Sequence, residues 1–217
     1  MIRAVIFDMD GTILNTLEDL TDSINVALNK FGMPLRGIDE VRSFVGNGIH
    51  KTIERAVPEG TEEEVIEEVY GFFNPYYRKH CEIKTRPYDG IVDLLHELRA
   101  QGYKTAVISN KENGAVIKLV DTVFTDCFDY CLGDTPGIKL KPERDMVDIT
   151  LDNLGVSVNE AVYVGDSDVD ILTARNSDMK CISVTWGFRS RDFLIESGAD
   201  ILADKPADIP ELIKSSI

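Results

Sequence analysis

The sequence predicts an α/β protein: a parallel sheet with helices on both faces, and a small all-helical domain inserted after the first strand. Three observations carry this. From about residue 90, apolar strand-like runs alternate with helix-spaced runs, the pattern of parallel strands joined by crossovers. A lone apolar run, Ala4-Val5-Ile6-Phe7, stands near the amino terminus and stops abruptly at Asp8. Between the two, residues 17–81 show helical spacing and no convincing strand.

The elements follow in order. Residues 4–7 are β-branched and aromatic and read as a buried strand, ended by Asp8-Met9-Asp10-Gly11-Thr12. Helical patterns come next, through Leu20-Ile24-Ala27-Leu28 and then over 41–45, 49–57 and 61–77. Thr61-Glu62-Glu63-Glu64 opens the last as a capping box would, with acids at the positive end of the helix dipole. Pro75 predicts an end or a kink there. Arg86-Pro87-Tyr88-Asp89-Gly90 reads as the return into the core. Beyond it, strands are expected over 104–108, 128–132, 161–164, 181–184 and 200–202. Helices run through Ile91-Leu94-Leu95-Leu98 and Met146-Ile149-Leu154, and Gly102 and Gly155 fall where C-caps belong. The expected division is a Rossmann-like core of 1–14 and 84–217, and a helical domain of 15–83 placed to cap the rim of the sheet.

The composition, 43% hydrophobic and 28% charged over 217 residues, is that of an ordinary soluble protein with a substantial core. A formal net charge of -15 argues against a nucleic-acid partner, because phosphate backbones need a basic face. It also requires local cations to draw in any anionic substrate. The amino terminus has a single Arg3 and an apolar stretch too short for a secretory signal, and no run is long enough to span a bilayer. Cys81, Cys127, Cys131 and Cys181 lack C-x-x-C spacing and a nearby His, so they read as reduced thiols of a cytoplasmic protein rather than zinc ligands. No partner-binding feature stands out, and a monomer is expected.

Chemistry-bearing residues gather at predicted strand ends, the rim where α/β sheets bind ligands. Asp8 and Asp10, one residue apart and followed by Gly11, offer a nucleophile, a proton donor and a metal seat. Ser109-Asn110-Lys111 follows Ala106-Val107-Ile108. A hydroxyl and backbone N–H groups opening a helix cradle phosphate, and the same residue types also serve as plain N-caps. In Lys139-Leu140-Lys141-Pro142 a loop lysine precedes a helix expected to start near Pro142, where it can neutralise a phosphate or a carboxylate. Val164-Gly165-Asp166-Ser167-Asp168-Val169-Asp170 delivers a run of acids suited to a hard cation such as Mg²⁺. Acids at a helix N-terminus also occur without a metal. Each signal is weak alone; four in this order are strong together.

These four stretches resemble the four motifs of the haloacid dehalogenase superfamily, and the helical insert is similar to the cap found there between the first and second motifs. Val184-Thr185-Trp186-Gly187-Phe188-Arg189, Ala199-Asp200 and the cap stretch Val45-Gly46-Asn47-Gly48 resemble the phosphoglycolate phosphatase and pyrophosphatase branch. Asn15, where many relatives carry an acid, is a departure. The resemblance implies Asp8 as nucleophile, forming an aspartyl-phosphate, and Asp10 as acid and then base. It implies Mg²⁺ held by Asp8, the Asp10 carbonyl and Asp166, with Asp170 orienting a metal-bound water or Lys141. Ser109, Asn110 and Lys141 would bind the phosphate. In the cap, Gly46, Asn47, Gly48 and Lys51 either bind the far carboxylate of a substrate or merely turn the chain, and both readings stand. Arg189 and Trp186 either line the site or pack.

The implied function is a Mg²⁺-dependent phosphatase acting on a small phosphorylated metabolite, phosphoglycolate first. The alternatives are an inorganic pyrophosphatase of the same superfamily, a sugar phosphomutase, or a non-enzymatic phosphorylatable switch domain. A dehalogenase is disfavoured because it would leave Asp10 and the metal-site acids without a task.

Overall fold

A computed structural model describes residues 1–46 and 48–215. The chain forms two compact units, Met1–Leu14 with Pro87–Ile217, and Asn15–Arg86. The first opens with β1 (Ala4–Phe7), and the chain leaves through the short β2 (Leu14–Asn15).

The second unit holds α1 (Leu17–Lys30), α2 (Ile38–Phe44), α3 (Ile49–Ala56) and α4 (Glu63–His80). Leu20, Ile24 and Leu28 of α1 and Ile66, Val69 and Phe73 of α4 are buried at three- and four-residue spacing, which gives each helix one apolar face. Arg36 closes the end of α3, donating from Nε to the Ala56 carbonyl at 2.6 Å and from Nη2 to the Val57 carbonyl at 3.2 Å.

Two local expectations change here. Thr61 does not cap α4, because its hydroxyl donates to the Pro58 carbonyl at 2.6 Å and Glu62 takes the cap position. Pro75 does not end the helix, which continues to His80. An interior proline costs roughly 3 kcal/mol. The ring pairs Phe72–Tyr76 and Phe73–Tyr77, at 6.1 and 5.4 Å, span it, and Tyr76–His80, at 4.0 Å, follows it; they offset part of that cost.

The chain returns through β3 (Arg86–Pro87). The core resumes at Pro87 rather than at residue 84, because Lys84 and Thr85 donate their backbone N–H groups to the buried Asp19 carboxylate of α1. Then come α5 (Ile91–Ala100), β4 (Lys104–Glu112), α6 (Asn113–Val123), β5 (Tyr130–Asp134), α7 (Asp145–Leu154), β6 (Ala161–Gly165), α8 (Asp168–Asn176), β7 (Lys180–Val184), α9 (Arg191–Glu196), β8 (Ile201–Ala203) and α10 (Ile209–Ser215).

The main sheet is parallel, in the order β5-β4-β1-β6-β7-β8. Side chains alternate across it. Val5 and Phe7 pack with Leu94, Leu98, Leu119 and Ile213 on one face, and Ala4 and Ile6 pack with Met146, Leu151 and Ala174 on the other. Helices therefore cover both faces, and β1 is buried throughout, as a parallel sheet requires. Among the described residues, no helix is long and apolar enough to cross a membrane.

Candidate active site

From β1 the chain moves one way to β4 and β5, then crosses back to β6, β7 and β8 on the other side. That reversal makes the carboxyl end of β1 a switch point of the strand order, the place where α/β sheets bind ligands. Asp8 follows β1, Ser109 lies in the last part of β4, and Asp166 follows β6. Pairing of Phe7 with Val107 and with Val164 brings the three ends level.

The carboxylates of Asp8, Asp166 and Asp170 are buried, with ligand atoms within 4.8 Å of one another. Lys141 is the cation among them. Its Nζ lies 2.7 Å from Asp8 Oδ1, 2.8 Å from Asp170 Oδ1 and 3.0 Å from the Tyr163 hydroxyl, with only 3% of the side chain exposed. Burial alone would draw the Lys141 proton affinity down, but Asp170 and Asp8 outweigh it and hold it well above the ordinary lysine range. Burial, then repulsion from Asp170, holds the Asp8 carboxyl well above the usual carboxylate range. The same two causes push Asp166 up to about 7. Three carboxylates against one ammonium leave a buried excess of negative charge, which a divalent cation would neutralise. The donors are all hard oxygens, and the residues present fit Mg²⁺.

Each acid has a different task available. Asp166 accepts one hydrogen bond at each oxygen, from the Thr12 hydroxyl at 2.9 Å and from the Phe188 N–H at 2.7 Å, and keeps lone pairs for a cation. Asp170 is engaged at both oxygens. Oδ1 takes Lys141 and the Tyr163 hydroxyl, and Oδ2 takes the N–H groups of Asp166 and Ser167 and the Ser167 hydroxyl. It is built to place Lys141 and the loop after β6.

Two glycines make the fit around Asp166. Gly11 turns at φ 91°, and a Cβ there would lie 2.3 Å from an Asp166 oxygen; a Cβ on Gly187 would come equally close to Asp166 Cβ.

β4 does not stop at Ile108, as the sequence suggested, but runs to Glu112 with its register against β5 shifting between those residues. Ser109, Asn110 and Lys111 occupy that irregular stretch, the kind of device that re-aims side chains at a sheet rim. Helix α6 starts only at Asn113, and Glu112 caps it by accepting from the Ala115 N–H. Ser109 and Asn110 are therefore not N-caps. The Asn110 amide is committed to the Lys141 backbone, donating to its carbonyl and accepting from its N–H, both at 2.9 Å. Likewise α7 begins at Asp145 rather than near Pro142, so Lys141 is held by Asn110 and not by a helix start.

Sequence reasoning missed several supports. Thr12 reads as an ordinary turn hydroxyl until it meets Asp166. The Trp186 indole N–H donates to the Thr12 carbonyl at 3.0 Å, so the loop after β7 fastens the loop after β1. Tyr163 gave one signal, a polar-tipped ring in an otherwise apolar strand, whose hydroxyl must find a partner when buried. Arg189 lies beside Asp168 at 3.6 Å and over the Phe193 ring.

In the inserted unit, Gly46 and Gly48 have positive φ, and Gly48 precedes α3. Lys51 pairs with Glu54 one helical turn on, at 2.6 Å. Asn47 lies outside the described residues.

A family model for haloacid dehalogenase-like hydrolases matches residues 5–184. The chain is 30% identical over 217 residues to a phosphoglycolate phosphatase of Aquifex aeolicus, covering 99% of this chain and 98% of that one. It is also 30% identical over 213 residues to phosphoglycolate phosphatase 1 of Pseudomonas aeruginosa, covering 95% and 78%. The crystal structure of a predicted phosphoglycolate phosphatase from Lactobacillus delbrueckii subsp. bulgaricus matches with a TM-score of 0.93 at 39% identity, covering 97% and 98%. Since the family model extends from β1 to the end of β7 and takes in all four strand-end motifs, the chain belongs to the haloacid dehalogenase-like hydrolase family.

Proposed function

We propose that this chain is a Mg²⁺-dependent phosphatase that hydrolyses phosphoglycolate, or a closely similar small phosphomonoester, through an aspartyl-phosphate on Asp8. The observation that carries the reading is the trio of buried carboxylates gathered round one buried lysine at the carboxyl end of β1. Relatives named phosphoglycolate phosphatase over nearly the whole chain support the substrate.

In this reading Lys141 holds Asp8 by Oδ1, which fixes the rotamer and leaves Oδ2 to attack phosphorus. As the new P–O bond forms, the ester P–O bond breaks, and Asp10 gives its proton to the departing alkoxide. Asp10 then takes a proton from a water whose oxygen attacks phosphorus, and the bond to Asp8 breaks. Ser109, Lys141 and the backbone N–H groups after Asp8 hold the phosphoryl oxygens as charge shifts between them. Asp8, the Asp10 carbonyl and Asp166 would hold Mg²⁺, which supplies a Lewis acid that offsets repulsion between carboxylates and phosphate. Gly46, Gly48 and Lys51 of the inserted unit are the candidates for recognising the rest of the substrate.

The test is phosphate release from phosphoglycolate, a sugar phosphate, an aryl phosphate and pyrophosphate, with and without Mg²⁺. Selective Mg²⁺-dependent release from phosphoglycolate is expected. Release from pyrophosphate alone, or transfer within a sugar phosphate without free phosphate, would overturn the substrate assignment.

The acid cluster also predicts how stability follows pH. Asp166 has an ordinary value of 3.8 and titrates at about 7 when folded. Between those values the folded state binds the extra proton, so stability falls as pH rises through that window. Chelated protein should therefore melt at a lower temperature at pH 8 than at pH 5, and millimolar Mg²⁺ should recover the difference at pH 8. Glu160, lowered to about 2 by the Ser157 N–H and by Arg3, acts in the opposite sense and only below about pH 4.5. A melting temperature that is flat from pH 5 to 8, with or without Mg²⁺, would contradict the assignment.

A further inference from the structure

We propose that Lys111 is a positioning residue for Asp10, fixing the acid/base carboxylate and meeting the charge it acquires as its proton leaves. The inference rests on the phosphatase reading above and adds a residue to it. Lys111 Nζ lies 2.9 Å from Oδ1 and 3.1 Å from Oδ2 of Asp10. The ammonium therefore straddles the carboxylate, engaging each oxygen and leaving a further lone pair on each for proton transfer. Its side chain is 8% exposed and that of Asp10 18%, although lysines ordinarily extend the ammonium into water. Drawing it inward costs solvation that a close opposite charge offsets.

The backbone on each side is fixed independently of the pair. Lys111 sits where the β4 register shifts, and its N–H donates to Ser109 Oγ at 3.2 Å. Asp10 sits in a turn whose Thr12, Ile13 and Leu14 N–H groups all reach the Met9 carbonyl, closed by Gly11 N–H to the Leu14 carbonyl at 2.9 Å. Two constrained loops thus aim opposite charges at one another. Lys141, by contrast, serves Asp8 and Asp170. The two lysines divide the nucleophile and the acid between them.

When the ester bond breaks, the Asp10 proton passes to the leaving oxygen and its electron pair stays on the carboxylate, beside Lys111. That help matters for an alkoxide, which must be protonated to leave, and little for a nitrophenolate, which leaves unaided. The experiment compares kcat/KM for phosphoglycolate and for 4-nitrophenyl phosphate in wild type, Lys111→Met, Lys111→Arg and Asp10→Asn.

Expected is a loss of about 10²-fold for phosphoglycolate in Lys111→Met, the usual worth of general acid catalysis, with at least a tenfold smaller loss for the aryl ester. Lys111→Arg should recover most of it, and adding Lys111→Met to Asp10→Asn should cost little more. Equal losses on both substrates, or a rise in KM alone, would make Lys111 a phosphate ligand or a scaffold residue and overturn the proposal. Wild type that releases phosphate from neither ester would instead overturn the phosphatase reading. If Lys111→Met does not fold, Lys111→Gln, which also removes the charge, is read by the same leaving-group comparison.

Discussion

Asp8→Asn should abolish phosphate release, by roughly 10⁴-fold or more, the scale on which removing a covalent nucleophile acts. The amide keeps the shape of the carboxylate but has no charge to offer phosphorus. The same substitution should leave the metal-free protein at least as stable as wild type at pH 8. Burial and the neighbouring Asp170 make the Asp8 charge unfavourable, so removing it relieves the interior. Lys141 loses one partner and keeps Asp170 and the Tyr163 hydroxyl. Phosphate release and a thermal melt on the same preparation check both halves. Turnover within tenfold of wild type would end the covalent mechanism, and a collapse of the fold would mean that the Asp8–Lys141 pair is structural.

Lys141→Met acts in the opposite direction. Activity is lost, and stability at pH 8 falls by roughly 3–5 kcal/mol, the cost of breaking a buried ion pair from one side. The variant leaves Asp8 and Asp170 ionised against one another with no ammonium between them. Since the Asp8 carboxyl, raised by burial and by Asp170, can escape by taking up a proton, the loss should shrink between pH 8 and pH 5. Lys141→Met combined with Asp170→Asn should recover part of the stability and none of the activity. Urea denaturation of the single and double variants at both pH values measures this. Equal losses at the two pH values would show that Lys141 contributes packing rather than charge.

What the sequence discloses and what it withholds divide along a physical line. The residues 4–7, the alternating runs after residue 90 and the helical spacing of 17–81 are local signals, and β1, the parallel sheet and α1 through α4 follow from them. Asp8 and Asp166 are legible because an apolar strand delivers each to a rim. The supports are not legible, because each joins distant segments. Asn110 reads as a cap until the sheet order sets it against the Lys141 backbone. Thr12 reads as a turn until β1 and β6 lie side by side, and Lys111 reads only as the last residue of a helix-opening stretch until the β4 irregularity sets it beside Asp10. A single-residue signal also misleads where neighbours one turn apart oppose it, as when the ring pairs within α4 help carry the helix through Pro75.

The position of β1 also bears on how the chain is made. Ala4 pairs with Lys104 on one side and with Ala161 on the other, so β1 leaves the ribosome well before either of its partner strands. Translation at about 5–20 residues per second puts those partners roughly 5–30 seconds behind it. During that interval Ala4–Phe7 is an apolar segment without a sheet, and the acids that will surround Lys141 are still apart. The acidic cluster therefore assembles only when Asp166 and Asp170 arrive, by which time Lys141 is already made. The cation precedes Asp170, the later of the two carboxylates it pairs with, and the nascent chain never has to bury that charge without it.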